Sequence, residues 1–192
     1  RLGFETAQEA LAEKFHLSQW ALAQLNPQAP WPHPPAGTSL RVPDLRGARR
    51  PPAADRLTVS LSNKWIRAWS PDGALIAHFP CSIGQDEARR PVGELHVVRA
   101  ATDPIYVFDP AVFPENAEAR TMTGKLIIPS GPNNPVGVAW IGLDRPGYGI
   151  HGTPHPEDIG KTESHGCFRL TNWDARKVLA MVQDGTPVIV GP

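Results

Sequence analysis

From about residue 57 onward, hydrophobic and polar residues alternate along the chain with a period of two. Residues 57–61 (LTVSL) and 65–69 (WIRAW) alternate in this way, and an apolar run follows over residues 74–82. Such alternation is typical of half-buried β-strands. The Pro-Asp-Gly turn at residues 71–73 separates the second and third runs and predicts a hairpin. This part of the chain is therefore predicted to begin with antiparallel strands.

The rest of the alternating region is predicted to hold further strands and one helix. The helix spans about residues 172–183, with Asn172 as its N-cap and Gly185 beyond its end. Residues 103–135 are irregular and proline-rich, so they are predicted to form a long loop that caps a functional site. The fold class is accordingly mainly β. The further strands are predicted at residues 93–100, 137–142, 147–151, 167–170 and 186–190.

The residues before position 46 show a helical pattern instead. Thr6 followed by Glu9 is a capping-box signature and predicts the start of a first helix. A second helix is predicted to start at Ser18 and to stop at Asn26, because a proline follows. Beyond it, residues 37–43 (GTSLRVP) are predicted to form a short strand that the proline ends. Two short helices and one strand would make a small, separate module.

A basic, proline-rich stretch at residues 46–56 has no hydrophobic period and reads as a linker. We therefore divide the chain into a small helical module at 1–45, a linker at 46–56 and a main domain at 57–192. With 192 residues, the chain is long enough for one sizeable core and such an appendage.

Charge and composition exclude several classes of function. Nineteen basic and nineteen acidic residues balance, which leaves no electrostatic footprint for nucleic acid or an acidic membrane surface. No apolar run is long enough to cross a bilayer, and no signal peptide is visible after Arg1, which does not argue for the cytoplasm. Two cysteines are too few for a disulfide framework. Cys81 lies in an apolar, strand-like run and is expected to be a buried hydrophobe.

Residues 149–170 (GIHGTPHPEDIGKTESHGCFRL) concentrate the groups that could carry chemistry. They hold His151, His155, His165 and Cys167 among glycines, prolines and charged residues. Three explanations compete: a metal site, a cysteine nucleophile with a histidine base, and a chance accumulation of loop histidines. The metal explanation is the weaker of the first two, because an H-x3-H pair shares one face only on a helix, and glycine and proline interrupt this one.

Nucleophilic catalysis needs a base or a positive neighbour that lowers the cost of forming a thiolate. His151 ends a predicted strand, and a connection of 16 residues can bring the chain back so that His151 faces Cys167 on the next strand. Gly166 would let the backbone approach a substrate, and N–H groups around it could hold an oxyanion. The residues alone favour catalysis modestly and leave the coincidence open.

The motifs strengthen the catalytic explanation through a resemblance. HGT at residues 151–153 followed by SHGCFRL at 164–170 resembles the signature of the L,D-transpeptidase catalytic domain, the YkuD-like family. PVGEL at 91–95 and GPNNPVG at 131–137 resemble two upstream segments of the same family, with Val92 where threonine is usual. The resemblance spans about residues 57–190 and implies a β-sandwich, which agrees with the period of two.

The first module resembles LysM, a small peptidoglycan-binding fold, over about residues 2–45. The match lacks the usual first strand and its Gly-Asp-Thr turn. The alternative is a two-helix appendage that packs on the main domain and binds no ligand.

The family resemblance implies roles for individual residues. Cys167 would be the nucleophile and His151 the base that activates its thiol, with the carbonyl of Gly152 orienting the imidazole. His165 and Gly166 would shape the site and its oxyanion hole.

Four further positions near the motif receive weaker assignments. Arg169 stands where many family members have asparagine, and either clamps a substrate carboxylate or forms a structural salt bridge. Tyr148 and Ser164 would line the substrate groove, and a packing role is equally open for Tyr148. His155 matches no family motif and is expected to be a solvated loop residue.

The resemblance also implies a substrate and a compartment. Peptidoglycan stem peptides in the bacterial envelope would be cleaved between the third residue, an L-centre, and D-alanine at position four. A second stem or an envelope lipoprotein would supply the acceptor amine. With water as acceptor, the enzyme would be an L,D-carboxypeptidase or amidohydrolase, and a non-catalytic peptidoglycan-binding protein is the alternative from another class. No cofactor, metal or nucleic acid partner is expected, and carbapenems are expected to acylate the nucleophile.

Overall fold

The computed structural model describes residues 1–46, 51–112, 119–164 and 166–192, which form a mainly β domain preceded by two short helices. Three α-helices and twelve strands lie within these ranges. The helices are α1 (Ala7–Lys14), α2 (Gln19–Leu25) and α3 (Asn172–Met181). The strands are β1 (Arg56–Ser60), β2 (Trp65–Trp69), β3 (Leu75–Pro80), β4 (Ile83–Gly84), β5 (Gly93–Thr102), β6 (Tyr106–Phe108), β7 (Leu126–Ile128), β8 (Ala139–Leu143), β9 (Gly149–His151), β10 (Thr162–Ser164), β11 (Phe168–Arg169) and β12 (Pro187–Gly191).

Eight strands form one mixed sheet in the order β11-β9-β8-β5-β12-β1-β2-β3. Strand β5 belongs to both halves of this sheet, because its first residues pair with β12 and its later residues pair with β8. The register shifts between Val97 and Arg99, where the strand passes from one half to the other. A strand that changes sheets at a bulge is how sandwiches turn their corners. The predicted mainly β class is confirmed.

A single hydrophobic core lies between the two halves of the sheet and helix α3. Side chains from opposite ends of the strand order, such as Phe79 and Phe168, belong to one buried cluster. Helix α3 adds Val178 and Met181 to the same cluster. Burial of each such large apolar side chain stabilises the fold by roughly 1.5–3 kcal/mol. Cys81 is 0% exposed and belongs to this core, as its apolar context predicts.

Helix α3 is present as predicted, but its N-cap is Thr171 rather than Asn172. The hydroxyl oxygen of Thr171 accepts a hydrogen bond from the Asp174 N–H at 3.3 Å. Asn172 is the first helical residue and is 1% exposed, with its amide turned into the protein. Sequence pattern identifies a capping type of residue here, but it does not distinguish between two adjacent candidates.

The predicted cap at residues 103–135 contains a hairpin that the sequence reading did not assign. Strands β6 and β7 pair antiparallel, with Tyr106 opposite Ile128 and Phe108 opposite Leu126. These strands have three residues each, so they are too short for an alternating pattern to stand out among the prolines. Part of the predicted cap, residues 113–118, lies outside the described residues.

The two helices of the first module form where the capping residues predict them. The Thr6 hydroxyl accepts from the Glu9 N–H at 3.0 Å, and the Ser18 hydroxyl accepts from the Ala21 N–H at 3.1 Å. None of the helices in the described ranges has the length and apolar composition needed to span a bilayer.

The strand predicted at residues 37–43 is wrong, because this stretch has no strand partner. Its backbone is satisfied by a side chain instead: the Asn26 amide accepts from the Arg41 N–H at 2.6 Å and donates to the Arg41 carbonyl at 2.9 Å. Within the predicted linker, residues 47–50 lie outside the described residues. The main sheet begins at Arg56, the last residue of that predicted linker.

Candidate active site

Parallel pairing of β9 with β11 brings the two ends of the histidine-rich stretch together. Ile150 lies opposite Phe168, and His151 lies opposite Arg169. Because paired residues on neighbouring strands share a face, the side chains of His151 and Arg169 are neighbours. Cys167 stands two residues before Arg169 and so lies on that same face, beside Gly149. The predicted return of the chain over residues 152–166 is therefore achieved by a parallel crossover.

The imidazole of His151 is buried and held in one tautomer. Its Nδ1 lies 2.7 Å from the Gly152 carbonyl oxygen. A carbonyl only accepts, so Nδ1 carries the proton and Nε2 presents a lone pair. The ring also stacks on Trp140, with 5.6 Å between ring centroids. Trp140 is the β8 partner of His151 in the sheet, so backbone pairing sets this stack.

Burial lowers the pKa of His151 to about 4. The Gly152 carbonyl opposes this shift by stabilising the protonated ring, and the nearby Arg169 charge adds to it. His151 is therefore a neutral base at physiological pH, which is the form that can take a proton from a thiol.

The thiol of Cys167 is partly exposed and donates a hydrogen bond to the Gly147 carbonyl at 3.4 Å. Burial raises the pKa of this thiol, while the Gly149 backbone N–H and the Arg169 charge lower it. The raised pKa and the donated hydrogen bond indicate that the resting form is the neutral thiol. The site thus combines a neutral thiol, a neutral imidazole and a nearby cation.

Arg169 is the source of positive charge at this site. It acts electrostatically on Cys167, His151 and Tyr106. Its backbone is tied to Ser82 by two hydrogen bonds of 2.9 Å, which fix the place of β11. None of the ion pairs between described side chains includes Arg169. The choice between a substrate clamp and a structural salt bridge at Arg169 stays a prediction.

Gly166 and Tyr148 form one wall of the site. Gly166 has a φ of 142°, which L side chains rarely adopt, and a Cβ there would lie 2.6 Å from the Tyr148 ring. The Tyr148 hydroxyl donates to the Arg89 carbonyl at 2.7 Å, and the Arg145 guanidinium stacks on its ring at 4.4 Å. Tyr148 is thus anchored on both sides, so its position is structural as well as adjacent to the nucleophile.

Tyr106 is a site residue that the sequence reading missed. It lies on β6 of the cap hairpin and is half-buried. Burial raises the pKa of its phenol, the Cys167 thiolate would raise it further, and the Arg169 charge lowers it. The phenol is therefore near enough to the nucleophile and the cation for their charges to act on it. The apolar and aromatic run at residues 105–108 is the signal that could have identified it, since it predicts a strand inside the presumed loop.

The other residues of the histidine-rich stretch are separate from this pair or lie outside the described parts. His155 is exposed, and its ring is grouped with the carboxylates of Glu157 and Asp158 rather than with His151 or Cys167. His165 lies outside the described residues, as does the side chain of Ser164. The backbone of Ser164 pairs with Gly84 between β10 and β4.

Comparison with known families and curated proteins gives one consistent result. The family model described as YkuD, the L,D-transpeptidase catalytic domain, matches residues 54–190. A relative from Bacillus licheniformis, provisionally named L,D-transpeptidase YkuD, is 29% identical over 184 residues, covering 96% of this chain and 93% of the relative. Its counterpart from Bacillus subtilis is 27% identical over 190 residues, covering 94% and 91%.

Solved structures with a similar fold include two mycobacterial proteins. The L,D-transpeptidase 3 from Mycobacterium tuberculosis, in complex with a faropenem-derived adduct, has a TM-score of 0.56 at 22% identity and covers 73% of this chain. The L,D-transpeptidase from Mycobacterium smegmatis has a TM-score of 0.53 at 22% identity and covers 71%. The chain spans about three fifths of these two proteins, at 61% and 58% of their lengths. The β-sandwich fold is thus shared.

Proposed function

The chain belongs to the YkuD family of L,D-transpeptidase catalytic domains, and on that premise we propose that it is a peptidoglycan L,D-transpeptidase with Cys167 as nucleophile and His151 as base. The observation that carries this assignment is the parallel β9–β11 pairing, with His151 opposite Arg169 and Cys167 two residues before it. By this pairing, Cys167 lies on the same face of the sheet as His151. Cys167 is the cysteine whose thiol is partly exposed, and the His151 imidazole is buried and held in one orientation.

Acylation begins from the neutral pair. The His151 Nε2 takes the thiol proton as Cys167 Sγ attacks the carbonyl between the third stem residue and D-alanine. The carbonyl oxygen becomes an oxyanion, which backbone N–H groups around Gly166 would hold. The imidazolium then gives its proton to the departing nitrogen, so D-alanine leaves as an amine and a thioester to Cys167 remains.

Deacylation uses the same groups in reverse order. An acceptor amine loses its proton to His151 and attacks the thioester carbonyl, and the sulfur leaves and regains the proton. A stem-peptide amine as acceptor gives a 3→3 cross-link, and a lipoprotein lysine gives an attached lipoprotein. Water would give a free tripeptide. We assign the amine as acceptor, because the family is one of transpeptidases, and the exchange of one amide for another needs no energy source.

Arg169 and Tyr106 support recognition of the stem peptide next to the nucleophile. The guanidinium would form a two-pronged ion pair with a peptide carboxylate, which is the strongest type of charged hydrogen bond. The Tyr106 phenol, on the cap hairpin, would close the site from the opposite side. Arg169 also stabilises the thiolate that forms during attack, since its charge lowers the pKa of Cys167.

The N-terminal unit is assigned here as a separate module at 1–45, joined by the linker 46–56 to the catalytic domain at 57–192. A crevice of about 600 Å³ lies between the end of α2, near Leu25, and the segment around Leu40. We assign it as the place where a LysM-like module would bind glycan. Substrate and module together point to the bacterial cell envelope, outside the cytoplasm, as the working compartment.

The decisive experiment is incubation with a purified disaccharide-tetrapeptide, followed by mass analysis of the products. A cross-linked dimer with released D-alanine is the expected result, and the Cys167→Ala variant should release none. Tripeptide without dimer would identify water as the acceptor. Unchanged substrate with the wild-type protein would contradict the proposal.

A further inference from the structure

The first helix packs directly behind the catalytic domain. Glu13 of α1 and Asn172 of α3 line the same small crevice, and the Arg176 charge and the Asn172 amide both lower the pKa of the Glu13 carboxyl group. His16, just beyond α1, stacks on Trp173 with 5.4 Å between ring centroids. The N-terminal helices therefore contact α3 at its first turn, immediately after the β11 segment that carries the nucleophile.

Asn172 uses every hydrogen-bonding atom of its buried side chain at this contact. Its Oδ1 accepts from the Val138 N–H at 3.1 Å, and its Nδ2 donates to the Pro132 carbonyl at 3.2 Å. The second Nδ2 hydrogen can serve the Glu13 carboxyl group, because an amide nitrogen donates twice. Asn172 thus joins four segments of the chain at one buried point.

The same amide oxygen lies against the residue that orients the base. A Cβ at Gly152 would lie 2.3 Å from Asn172 Oδ1, and one at Gly137 would lie 2.0 Å from it. Only glycine leaves room for the amide at these two positions. The Gly152 carbonyl, in turn, is the acceptor that fixes the His151 ring. Contacts therefore run from Asn172 through Gly152 to His151, and Glu13 lies in the crevice beside Asn172.

We propose that Asn172 is a positioning residue for His151, and that Glu13 holds Asn172 in place, so that the N-terminal unit supports the base from behind. The inference rests on the proposed role of His151, and it assigns to the N-terminal helices a task besides ligand binding. A displacement of a catalytic group by about 1 Å can cost ~100-fold in rate, so a small shift of Gly152 is enough to matter.

The charged groups around Glu13 are consistent with a specific interaction between Glu13 and Asn172. Burial raises the pKa of Glu13 to about 7, Arg176 and the Asn172 amide oppose this, and Glu9 adds to it. The other charged or titratable groups at a second crevice that Glu13 also lines are Arg1, Lys14, His16 and Lys177. Glu13 is partly buried, and a carboxyl group next to an amide can be satisfied in both protonation states, since the acid donates and the carboxylate accepts.

The test compares variants along this chain of contacts with matched controls. Asn172→Ala removes the amide that contacts Gly152, and Glu13→Ala removes only the carboxyl group beside that amide. Lys14→Ala changes the neighbouring exposed position of the same helix, and His16→Ala removes the other packing contact without touching Asn172. Asn172→Asp combined with Glu13→Gln exchanges donor and acceptor between these two side chains, which should restore their pairing but not the hydrogen bond from Asn172 to the Pro132 carbonyl.

Two readouts report on the base independently of peptidoglycan turnover. One is the imidazole titration of His151 by NMR, and the other is the rate of Cys167 alkylation by iodoacetamide as a function of pH. Both remain measurable if the wild-type protein proves inactive on muropeptides, so failure of this inference is distinguishable from failure of the proposed function. In the turnover assay, a positioning role should lower kcat while leaving KM nearly unchanged.

We expect Asn172→Ala to lower kcat about tenfold or more and Glu13→Ala less, as for other residues that orient catalytic groups. Both should shift the His151 titration, whereas Lys14→Ala and His16→Ala should leave it in place. Recovery of the wild-type titration in the exchanged pair, relative to Asn172→Asp, would support a direct contact. The proposal is overturned if folded Glu13→Ala and Asn172→Asp proteins keep the wild-type titration and alkylation profile. It is also overturned if His16→Ala shifts the titration as much as Glu13→Ala.

Discussion

The two cysteines of this protein lie in regions that differ in solvent exposure and in the groups next to the thiol. Cys81 is 0% exposed in the hydrophobic core, where burial raises its pKa to about 12 against a small opposing effect of Lys64. Cys167 is partly exposed and lies immediately before β11. Burial raises the pKa of its thiol too, but the Gly149 N–H and the Arg169 charge oppose the rise.

The comparison teaches that burial alone does not separate the inert cysteine from the reactive one. Both thiols are neutral at rest, so neither is reactive because of a preformed thiolate. What differs is access for a substrate, a neighbouring cation and a base on the same face. In the proposed mechanism, reactivity depends on the attack itself, when His151 would accept the proton and Arg169 would stabilise the developing charge.

The largest expected effect comes from exchanging the two cysteines for alanine one at a time. Cys167→Ala should abolish D-alanine release, a loss of at least about 1,000-fold, because the covalent route disappears. Cys81→Ala should retain most of the activity. Mass spectrometry after treatment with a carbapenem should find the adduct on Cys167 alone, and an adduct confined to Cys81 would reverse the assignment.

Removal of the base should have the next largest effect. His151→Gln is expected to lower kcat/KM by about 100-fold to 10,000-fold, the usual contribution of a positioned general base. The wild-type rate should hold steady as pH falls from neutral and decline only near the low His151 pKa of about 4, since protonation below that value removes the base. This acid limb, measured as kcat/KM against pH, should vanish in the variant.

An acid limb near the ordinary histidine pKa of 6.5 would contradict the neutral, buried base. The His155→Gln variant is the matched control, because its ring is exposed and grouped with Glu157 and Asp158. Its pH profile should match that of the wild type.

Loss of the Arg169 charge should reduce the difference in reactivity between Cys167 and Cys81 without abolishing it. Arg169→Leu removes a charge that lowers the pKa of both Cys167 and His151, so both pKa values should rise. Alkylation of Cys167 at neutral pH should slow by up to about tenfold, which corresponds to one pKa unit. Arg169→Lys should keep most of the rate, and Arg67→Leu, on β2, should keep all of it. If Cys167 alkylation is unchanged in Arg169→Leu, a group other than Arg169 lowers the pKa of this thiol.

The smallest expected effect concerns stability, where substitution of Cys81 should cost more than substitution of Cys167. Cys81→Ala should lower the free energy of unfolding by about 1 kcal/mol, because it leaves a small cavity in a packed core. Cys167→Ala should change it by less than about 0.5 kcal/mol, as partly exposed positions usually do. Urea denaturation of both variants measures this, and equal destabilisation would show that the two environments differ less than their burial indicates.

The success of the sequence reading followed the length and regularity of the elements. The alternating runs of β1 and β2 and the capped helices α1 and α2 were predicted because side-chain period and capping residues are local properties. The hairpin of β6 and β7 was missed because three residues carry too little pattern. The segment around Arg41 was taken for a strand, although an Asn26 side chain rather than a partner strand satisfies its backbone.

The candidate site divides in the same way. Motif spacing identified Cys167, His151 and Arg169, whereas nothing in the spacing pointed to Tyr106 or Asn172. Both residues are distant in sequence from the motif, since Tyr106 lies on the cap hairpin, and Asn172 lines a crevice with Glu13 of α1. The role of His165 and the boundaries of the first module stay predictions.

By itself, the sequence determined the elements, the mainly β class, the motif and its resemblance to one family, because these depend on residue type and short spacing. Only the tertiary structure decided the tautomer of His151, the neutral state of both thiols, the nearness of the Arg169 charge to the Cys167 thiol and the stacking of His16 on Trp173. The physical reason is that pKa values, hydrogen-bond partners and burial are set by neighbours that are close in space and distant along the chain.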